Sequence, residues 1–429
     1  MTRFAGKTIL FLGSNVGVTD MMRYAKTNGA HTIVADWYPV SKSIPKQLSD
    51  EALLVSTADV ERLSEIVSNR KIDGVLAGVH EFNLTQAITI ADRCNLSFYC
   101  GMDQWENVEQ KDSFRRLCER YGVPCPVTYF TGSPDGIDTA AIRYPAVLKP
   151  VDASASEGVH ICHTEGELLS YLDVAADTSN VGRIIVEQYI DGFEFTAHYT
   201  LHEGKAKLAC VDNRYPIAVH EGSVTTIPVA RIYPSHFIDR YIAQVDKAMT
   251  KLCEGIGVKE GVLFIQGIFR DKDNSFAVFE AGLRSAGEAP YRFIEKVNGL
   301  NYMNLLVDTS LGIEPLYNQA NEDPYLKGKC CGVVSLVGRG GTVGSISGLD
   351  EVMATIPDII DYEIRYPVGS KVPDGDTLRQ LLVRFVLICE SRKRMAEVIA
   401  QINSMVKVSD AKGEDMVLRM DPNRVFGCE

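Results

Sequence analysis

The amino-terminal hundred residues alternate apolar runs with amphipathic stretches. Three apolar runs predict β-strands, at Thr8–Leu12, His31–Ala35 and Gly74–Ala77. Three amphipathic stretches predict helices, at Thr19–Asn28, Asp59–Arg70 and Leu84–Cys94. Because alternating strands and helices are typical of a parallel sheet with helices on both faces, we expect an α/β unit that ends at a junction near residue 101.

The remaining sequence predicts a mixed α and β structure. Helices are predicted at Val108–Tyr121, Phe237–Glu254 and Ser391–Met405, the last with an apolar stripe. From Pro145 up to the helix at Phe237, the pattern predicts short strands and loops. The runs Gly261–Arg270 and Phe276–Glu280 predict a β-hairpin, and Gly338–Gly341 is expected to form a tight hairpin turn.

Composition and charge narrow the possible partners. The 429 residues are 45% hydrophobic and 23% charged, as in a globular protein of two or three domains. The formal net charge of −12 argues against nucleic acid or an anionic membrane surface as the main partner, and no apolar run is long enough to span a membrane. The 11 cysteines contain no CxxC spacing, which indicates reduced thiols in a cytoplasmic protein, with Cys330 and Cys331 in the core.

Two possible ligand motifs are better interpreted as structural. The turn Gly13–Gly17 follows the first strand, but Asn15 and Val18 occupy positions where a dinucleotide-binding GxGxxG motif needs glycine. A structural turn is therefore favoured over NAD or FAD binding. His160 and His163 stand three residues apart in a predicted strand, so their side chains point to opposite faces and do not form a metal site.

A possible phosphate-binding segment lies in the middle of the chain. The short strand Pro145–Pro150 carries Lys149 and is followed by the small-residue loop Val151–Val159. Backbone N–H groups and hydroxyls of such a loop can surround phosphate oxygens, and a nearby lysine neutralises their charge. The loop supplies three candidate ligand-binding residues, Ser154, Ser156 and Gly158.

In order and spacing, this segment and three that follow it resemble the ATP-grasp superfamily. The three later segments are Ile184–Glu194, Val262–Gln266 and Phe279–Arg284. The resemblance covers nearly the whole chain and implies an α/β (α+β) ATP-grasp fold. Residues 1–100 would form a Rossmann-like pre-ATP-grasp domain and 101–325 the ATP-grasp domain, with a small lobe at about 123–195. Residues 326–429 would form a C-terminal α+β lobe.

The resemblance also implies the roles of individual residues. Lys111 and Lys149 match the two ATP-binding lysines, and Glu187, Gln188 and Ile190 lie in the hinge segment whose backbone meets the adenine. Further matches are Glu194 near the ribose, Gln266 and Glu280 as metal ligands, and Arg284 on phosphate or a substrate carboxylate. Glutamine at the first metal position is similar to the carbamoyl-phosphate synthetase large subunit. The sequence departs from the family at Gly282, where many members have an asparagine that completes the metal shell.

The metal assignment can also be argued from strand register. If the predicted hairpin turns through the five residues Asp271–Ser275, Gln266 lies directly opposite Glu280 on one sheet face. Two oxygen-bearing side chains then converge, which suits Mg²⁺ bound to ATP phosphates. A four-residue loop would place the two side chains on opposite faces and prevent the site from forming.

These features predict an ATP-grasp ligase that joins a carboxylate to an amine through an acyl-phosphate. ATP and Mg²⁺ are the expected cofactors, with Mn²⁺ as an alternative metal, and the substrates are expected to be small molecules. The resemblance is also compatible with a homodimer. Two alternatives remain open at this point. One is a carboxy-phosphate-forming enzyme similar to biotin carboxylase or carbamoyl-phosphate synthetase, and the other is a non-catalytic ATP-binding subunit.

The last hundred residues favour one branch of the superfamily. Gly332–Leu336, Gly344–Leu349 and Arg384–Ile388 resemble the C-terminal lobe of L-amino-acid ligases. His220–Pro228 resembles a stretch that borders the active site in those enzymes.

Overall fold

The structure is a computed structural model that describes residues 2–153, 157–218, 227–375 and 378–426. The predicted ligand-binding residues Ser154 and Ser156, and most of His220–Pro228, lie outside these ranges. None of the helices within the ranges is long and apolar enough to cross a bilayer.

The secondary structure follows chain order. The strands are β1 Thr8–Leu12, β2 His31–Asp36, β3 Glu51–Leu54, β4 Gly74–Ala77, β5 Thr128–Gly132, β6 Ala146–Pro150, β7 His160–Cys162, β8 Ile184–Gln188, β9 Phe193–His202, β10 Lys205–Val211, β11 Asn213–Ile217, β12 Ile227–Tyr233, β13 Gly261–Arg270, β14 Ser275–Gly282, β15 Cys330–Gly338, β16 Gly341–Ser347, β17 Ile359–Ile364, β18 Lys371–Val372, β19 Leu381–Cys389, β20 Lys407–Asp410 and β21 Val417–Leu418. The helices are α1 Val16–Thr27, α2 Ile44–Leu48, α3 Val60–Arg70, α4 Glu81–Arg93, α5 Met102–Glu109, α6 Lys111–Tyr121, α7 Glu165–Thr178, α8 Ile238–Tyr241, α9 Lys247–Gly255, α10 Tyr291–Asn298, α11 Tyr302–Ser310, α12 Leu349–Thr355 and α13 Arg392–Met405.

The amino-terminal sheet is parallel, as the alternating pattern predicts. Its order is β3-β2-β1-β4, with Leu10 between Ile33 and Val75. The central strands are apolar along their length because helices cover both faces. The turn at Asn15 is structural, since the Asn15 side chain accepts a hydrogen bond from the N–H of Val18 and caps α1. β3 was not predicted, because it is a short edge strand with partly exposed residues.

The predicted helix at Val108–Tyr121 is instead two helices. The chain is extended at Gln110, with ψ of 119°, so α5 ends at Glu109 and α6 begins at Lys111. This break places Lys111 in the first turn of α6, where its backbone N–H is free of the helix and donates to Val151 O at 3.0 Å. The junction therefore fixes Lys111 against the loop that follows β6.

The segment after Pro145 forms a small antiparallel sheet of order β5-β8-β6-β7. The helix α7 covers one face, with Leu168, Leu172 and Ala175 in a shared core with Leu148 and Val186. The prediction of only strands and loops here was wrong, because it omitted α7. Residues that alternate with Leu148 and Val186 face away from α7, and these include Lys149 and Glu187.

A second antiparallel sheet has the order β10-β9-β13-β14 and contains the predicted hairpin. One face packs an aromatic cluster against α8 and the following turn, with Phe195, Phe237, Tyr241, Phe269 and Phe276 in edge-to-face or tilted contact. A π-helical turn at Ile242–Asp246 joins α8 to α9, so the predicted helical stretch is present. The face opposite this cluster carries the candidate site.

The C-terminal sheet has the order β11-β12-β15-β19-β17, so strands on both sides of residue 326 form it together. The prediction of a hairpin turn at Gly338–Gly341 was wrong, because β15 and β16 pair with different strands. Gly340 allows a close approach instead, since a Cβ there would lie 2.3 Å from Asp374 Cβ. The predicted stripe of α13 is confirmed by the burial of Met395 and Ile399, and Cys330 and Cys331 are buried as expected.

Arg292 on α10 joins the amino-terminal unit to the C-terminal sheet. Its Nε and Nη2 donate to the two oxygens of Asp20 on α1, at 2.8 and 3.0 Å. Its Nη1 donates to Asp361 Oδ2 on β17 at 2.7 Å. A bidentate contact of this kind fixes the orientation of the two side chains as well as their distance.

We expect Arg292→Met to lower the free energy of unfolding by about 2 kcal/mol, because Asp20 loses both guanidinium donors in a partly buried setting and keeps the Tyr291 hydroxyl. Chemical denaturation would measure the loss. The matched control is Arg62→Met, whose ion pair with Glu65 is exposed on both sides and should be worth well under 1 kcal/mol. Equal losses in the two variants would contradict a joining role for Arg292.

Candidate active site

Gln266 and Glu280 lie directly opposite each other on β13 and β14. The predicted pairing is therefore present, but the predicted five-residue loop is wrong. The hairpin loop has four residues, since Arg270 pairs with Ser275, and a β-bulge at Phe279 then shifts the register by one. The bulge compensates for the short loop and returns Glu280 to the face of Gln266.

The bulge is held by Arg115 on α6. The Arg115 guanidinium donates to Val278 O at 2.7 Å and to Phe279 O at 3.3 Å. Its Nε also donates to Glu187 Oε1 on β8 at 2.8 Å. One buried guanidinium therefore connects the hairpin to the small sheet.

Glu187 holds Lys149 in turn. The second Glu187 oxygen lies 2.6 Å from Lys149 Nζ, and both residues are buried, at 1% and 6% exposed. Although burial alone would raise it, the pKa of Glu187 is held below its ordinary value by Lys149 and Arg115. The Glu187 side chain is therefore engaged within the protein, and its backbone lies in β8 between β5 and β6.

Lys111 lies close to Lys149 at the start of the phosphate-loop segment. Its Nζ donates to Ala153 O at 2.5 Å. At the far end of the loop, Gly158 has a φ of +69°, and a Cβ there would lie 2.8 Å from Pro150 Cγ. The start of the loop is thus anchored to α6 and its far end packs against β6.

The other three predicted nucleotide contacts are Gln188, Ile190 and Glu194, and two of them already have partners within the protein. The N–H of Gln188 donates to Val127 O at 2.8 Å, and that of Tyr189 donates to Pro145 O at 3.4 Å. Glu194 forms an ion pair with Arg214 on β11. Ile190 is buried beside this segment.

Arg284 lies just beyond β14 among acidic side chains that sequence reasoning missed. It forms an ion pair with Glu81, the first residue of α4, and its guanidinium lies 4.6 Å from the ring centre of Phe264. Glu109 lies close to Arg284, and its Oε1 is out of contact with solvent and has no hydrogen-bond partner among the described residues. Burial raises the pKa of Glu109 to about 8, with Arg284 opposing and Glu280 adding to the shift.

The charged residues Lys111, Glu280 and Arg284 thus converge on Glu109. A signal for Glu109 was present in the sequence. The two buried residues of α5 are Trp105 and Val108. Glu109 follows them at helical spacing, so a carboxylate occupies a position on the apolar face of the helix.

Gly282 leaves room that two other side chains fill. A Cβ at Gly282 would lie 2.2 Å from Phe264 Cε1 and 3.1 Å from Glu109 Oε1. The family asparagine cannot be accommodated here unless the Phe264 ring moves. Glu109 therefore places an oxygen where the missing side chain would begin.

The site face continues onto β9. Thr196 pairs with Gln266, and His198 pairs with Phe264, so all four side chains share one face of the sheet. His198 is fully buried, and burial lowers its pKa to about 3, with Glu288 opposing and Arg231 adding to the shift. Sequence reasoning missed His198 because it predicted short strands here without placing one at Phe193–His202.

The donors fit a hard divalent cation. Gln266 and Glu280 present an amide and a carboxylate oxygen side by side, and the unpartnered Oε1 of Glu109 lies nearby. Within the described ranges no group of three or more His, Cys, Asp and Glu side chains has a metal-binding arrangement. Phosphate and water oxygens would therefore complete the shell.

Residues 142–290 match the ATP-grasp domain family. The chain contains an ATP-grasp domain. The match includes Lys149, Glu187, Gln266, Glu280 and Arg284, so the resemblance inferred from the sequence is confirmed over this region.

The relatives that share sequence with this chain include the carbamoyl phosphate synthase large chain of Clostridium beijerinckii. It is 27% identical over 296 residues, which cover 67% of this chain and 26% of that protein. The chain therefore spans about a quarter of the length of the curated relatives it matches.

Solved structures share the fold over almost the whole chain. The L-amino acid ligase from Bacillus licheniformis has a TM-score of 0.77 and 18% identity, with 95% of this chain and 99% of that chain covered. The biotin carboxylase domain of 2-oxoglutarate carboxylase from Hydrogenobacter thermophilus has a TM-score of 0.74 and 15% identity, with 98% and 94% covered. The predicted ATP-grasp fold is confirmed.

Removing the Arg115 guanidinium should destabilise the fold around the candidate site. We expect Arg115→Met to lower the free energy of unfolding by about 3 kcal/mol or more, because two bulge carbonyls and Glu187 lose a buried donor. Chemical denaturation measures this loss. Arg116→Met changes the adjacent, mostly exposed arginine and should cost less than about 1 kcal/mol. A similar cost for both variants would show that Arg115 does not hold the bulge.

His198 predicts a pH dependence of stability. Its pKa is about 3 in the folded protein and about 6.5 when unfolded, so the unfolded chain binds more protons between these values. Stability should fall as the pH falls through this window, by about 2 kcal/mol from this residue between pH 7.5 and 5.

Denaturation of wild type and His198→Gln at both pH values measures the difference. The variant should lose about 2 kcal/mol less than wild type over this range. Parallel pH dependence in wild type and His198→Gln would contradict the buried neutral state of His198.

Proposed function

We propose that the protein is an ATP-dependent carboxylate–amine ligase that forms an amide through an acyl-phosphate and releases ADP and phosphate. The strongest support is the pairing of Gln266 with Glu280 on one sheet face. Arg284 lies near this pair, and the face is turned towards Lys111 and Lys149. Oxygen ligands and cations assembled in one place suit phosphoryl transfer, in which positioning and charge neutralisation provide most of the catalysis.

We infer three regions for this function: a pre-ATP-grasp domain at residues 1–100, an ATP-grasp domain at 101–325 and a C-terminal lobe at 326–429. The small lobe at about 123–195 corresponds to the small antiparallel sheet with α7. Because β11 and β12 pair within the C-terminal sheet, the second and third regions share a sheet and act together. We propose a cytoplasmic location for the protein.

ATP would lie between the small sheet and the site face. Lys111 and Lys149 would contact its phosphates, and the backbone of Gln188–Ile190 would meet the adenine. Gln266 and Glu280 would hold Mg²⁺, which would supply positive charge to neutralise the phosphates. Ser154, Ser156, Gly158 and Glu194 are the remaining proposed nucleotide contacts.

The proposed chemistry has two steps. A carboxylate oxygen attacks the γ-phosphorus, the bond to the ADP oxygen breaks, and Arg284 and Lys149 neutralise the negative charge on the transferring group. The amine nitrogen then attacks the acyl carbon, loses a proton and displaces phosphate. Burial of Lys149 and Arg284 strengthens both contacts, since water does not screen them.

A second candidate is carboxy-phosphate formation from bicarbonate. It is favoured by Gln266 at a metal position and by sequence similarity to a carbamoyl phosphate synthase large chain. Because the chain matches about a quarter of that protein, only carboxy-phosphate formation is proposed for this chain.

ADP release from Mg·ATP would test both candidates. Amino acids, small carboxylic acids and bicarbonate would be offered singly and in pairs. Release that needs an acid and an amine together supports the ligase, and release with bicarbonate alone supports carboxy-phosphate chemistry. ATP binding without release under any condition would contradict both and favour a non-catalytic subunit.

We expect Glu280→Gln to reduce turnover at least 100-fold while leaving the unfolding midpoint within a few degrees of wild type, because a neutral amide is a much weaker Mg²⁺ ligand. Asp271→Asn, at the exposed tip of the same hairpin, is the control and should retain full activity. A fully active Glu280→Gln protein would overturn the metal assignment.

A further inference from the structure

Two sheet faces meet above the candidate metal pair. One is the site face of β9 and β13, with Thr196 and His198 beside Gln266. The other belongs to the C-terminal sheet, where Arg231 pairs with Val333 and Arg384 pairs with Ser335. Because Val333 and Ser335 alternate with the core residue Val334, both arginines lie on the face away from the C-terminal core.

Arg231 joins the two faces and has its charge balanced. It donates to Thr196 Oγ1 and forms ion pairs with Asp212 at 2.9 Å and with Glu288 at 3.1 Å. The N–H of Thr196 also donates to Asp212. Because Thr196 pairs directly with Gln266, this buried network brings the C-terminal sheet next to the candidate metal pair.

Arg384 has carboxylates nearby but forms no direct ion pair within the described ranges. It is 6% exposed, and its Nη1 donates to Gly287 O at 2.6 Å. Its Nε is buried without a hydrogen-bond partner, and no carboxylate oxygen in the described ranges comes within 4.0 Å of its nitrogens. Burial lowers the pKa of Arg384, and the nearby Arg365 and Arg231 add to this effect. Glu288 and Glu363 oppose it, the latter directly across from Arg384 on β17. A buried guanidinium without a direct ion pair would be stabilised by a bound anion.

Other unmet hydrogen-bonding groups lie in the same place. Both ring nitrogens of His198 and the hydroxyl of Tyr233 are buried without partners among the described residues. The two rings are 6.5 Å apart, and Glu288 is near His198, Arg231 and Arg384 alike. Buried polar atoms of proteins are nearly always satisfied, so a cluster of unsatisfied ones indicates a ligand site.

We propose that Arg384 binds a substrate carboxylate that is not consumed in the reaction. The inference rests on the proposed function, in which the reacting carboxylate lies at Arg284 and the metal pair. The second carboxylate belongs either to the acid, which is then a dicarboxylate, or to the amine, which then carries its own carboxylate. Bicarbonate and ammonia lack this group and do not satisfy Arg384.

The test compares carboxylate substrates with their amides. Succinate against succinamate probes the acid, and L-alanine against L-alaninamide probes the amine, each with the partner that supports ADP release. For wild type, kcat/KM should fall about 30- to 100-fold for the amide in one of the two arms, since a charge-assisted bond is lost. In Arg384→Met, kcat/KM for the carboxylate substrate should fall by the same factor. The ratio of kcat/KM for the carboxylate to kcat/KM for the amide should then approach one.

Arg394→Met is the matched control, because Arg394 lies on α13 on the other side of the same sheet and pairs with Asp358. It should keep the wild-type ratio. Arg384→Lys keeps a charge and should retain part of the discrimination, which separates recognition from a folding defect. A wild-type ratio in a folded Arg384→Met protein would overturn the proposal.

A binding assay separates this proposal from the ligase activity. The four probes would be tested for thermal stabilisation of the protein with ADP and Mg²⁺ present. Stabilisation by a carboxylate probe in wild type but not in Arg384→Met, without ADP release, would support the Arg384 site while contradicting the ligase. If no probe stabilises wild type and none supports ADP release, both proposals fail.

Discussion

The guanidinium of Arg115 is the contact on which the candidate site depends. It holds the two carbonyls of the hairpin bulge and the carboxylate of Glu187, and Glu187 in turn holds Lys149. The bulge itself decides that Glu280 faces Gln266 rather than the opposite side of the sheet. A single buried cation therefore fixes the proposed metal pair and a proposed phosphate-binding lysine in one arrangement.

The C-terminal sheet completes the site because it takes two strands from the middle of the chain. β11 and β12 carry Arg214 and Arg231, which contact Glu194 and Thr196 on the site face. The third arginine of this face, Arg384, lies opposite Glu363 on β17, but no carboxylate oxygen in the described ranges comes within 4.0 Å of its nitrogens. The arrangement thus places a buried positive charge beside the face proposed to bind the reacting groups.

Strands buried on both faces were predictable from the sequence, because their residues are apolar throughout. Thr8–Leu12 and Gly74–Ala77 match the structure residue for residue. The helix α7 was missed since Leu169, Tyr171 and Val174 are exposed and obscure the apolar face formed by Leu168 and Leu172. Local pattern could not reveal the bulge at Phe279, because its position depends on pairing across the hairpin and on Arg115 from α6. The surroundings of Glu109 and Arg384 depend likewise on segments far apart in sequence.

Binding of Mn²⁺ in the presence of a non-hydrolysable ATP analogue tests the central claim most directly, because it needs no knowledge of the substrates. Electron paramagnetic resonance would count bound Mn²⁺ in wild type, Glu280→Gln and Asp271→Asn. The account predicts nucleotide-dependent Mn²⁺ binding in wild type and Asp271→Asn, with at least a 10-fold weaker affinity in Glu280→Gln. Equal Mn²⁺ affinity in all three proteins would contradict a metal site at Gln266 and Glu280.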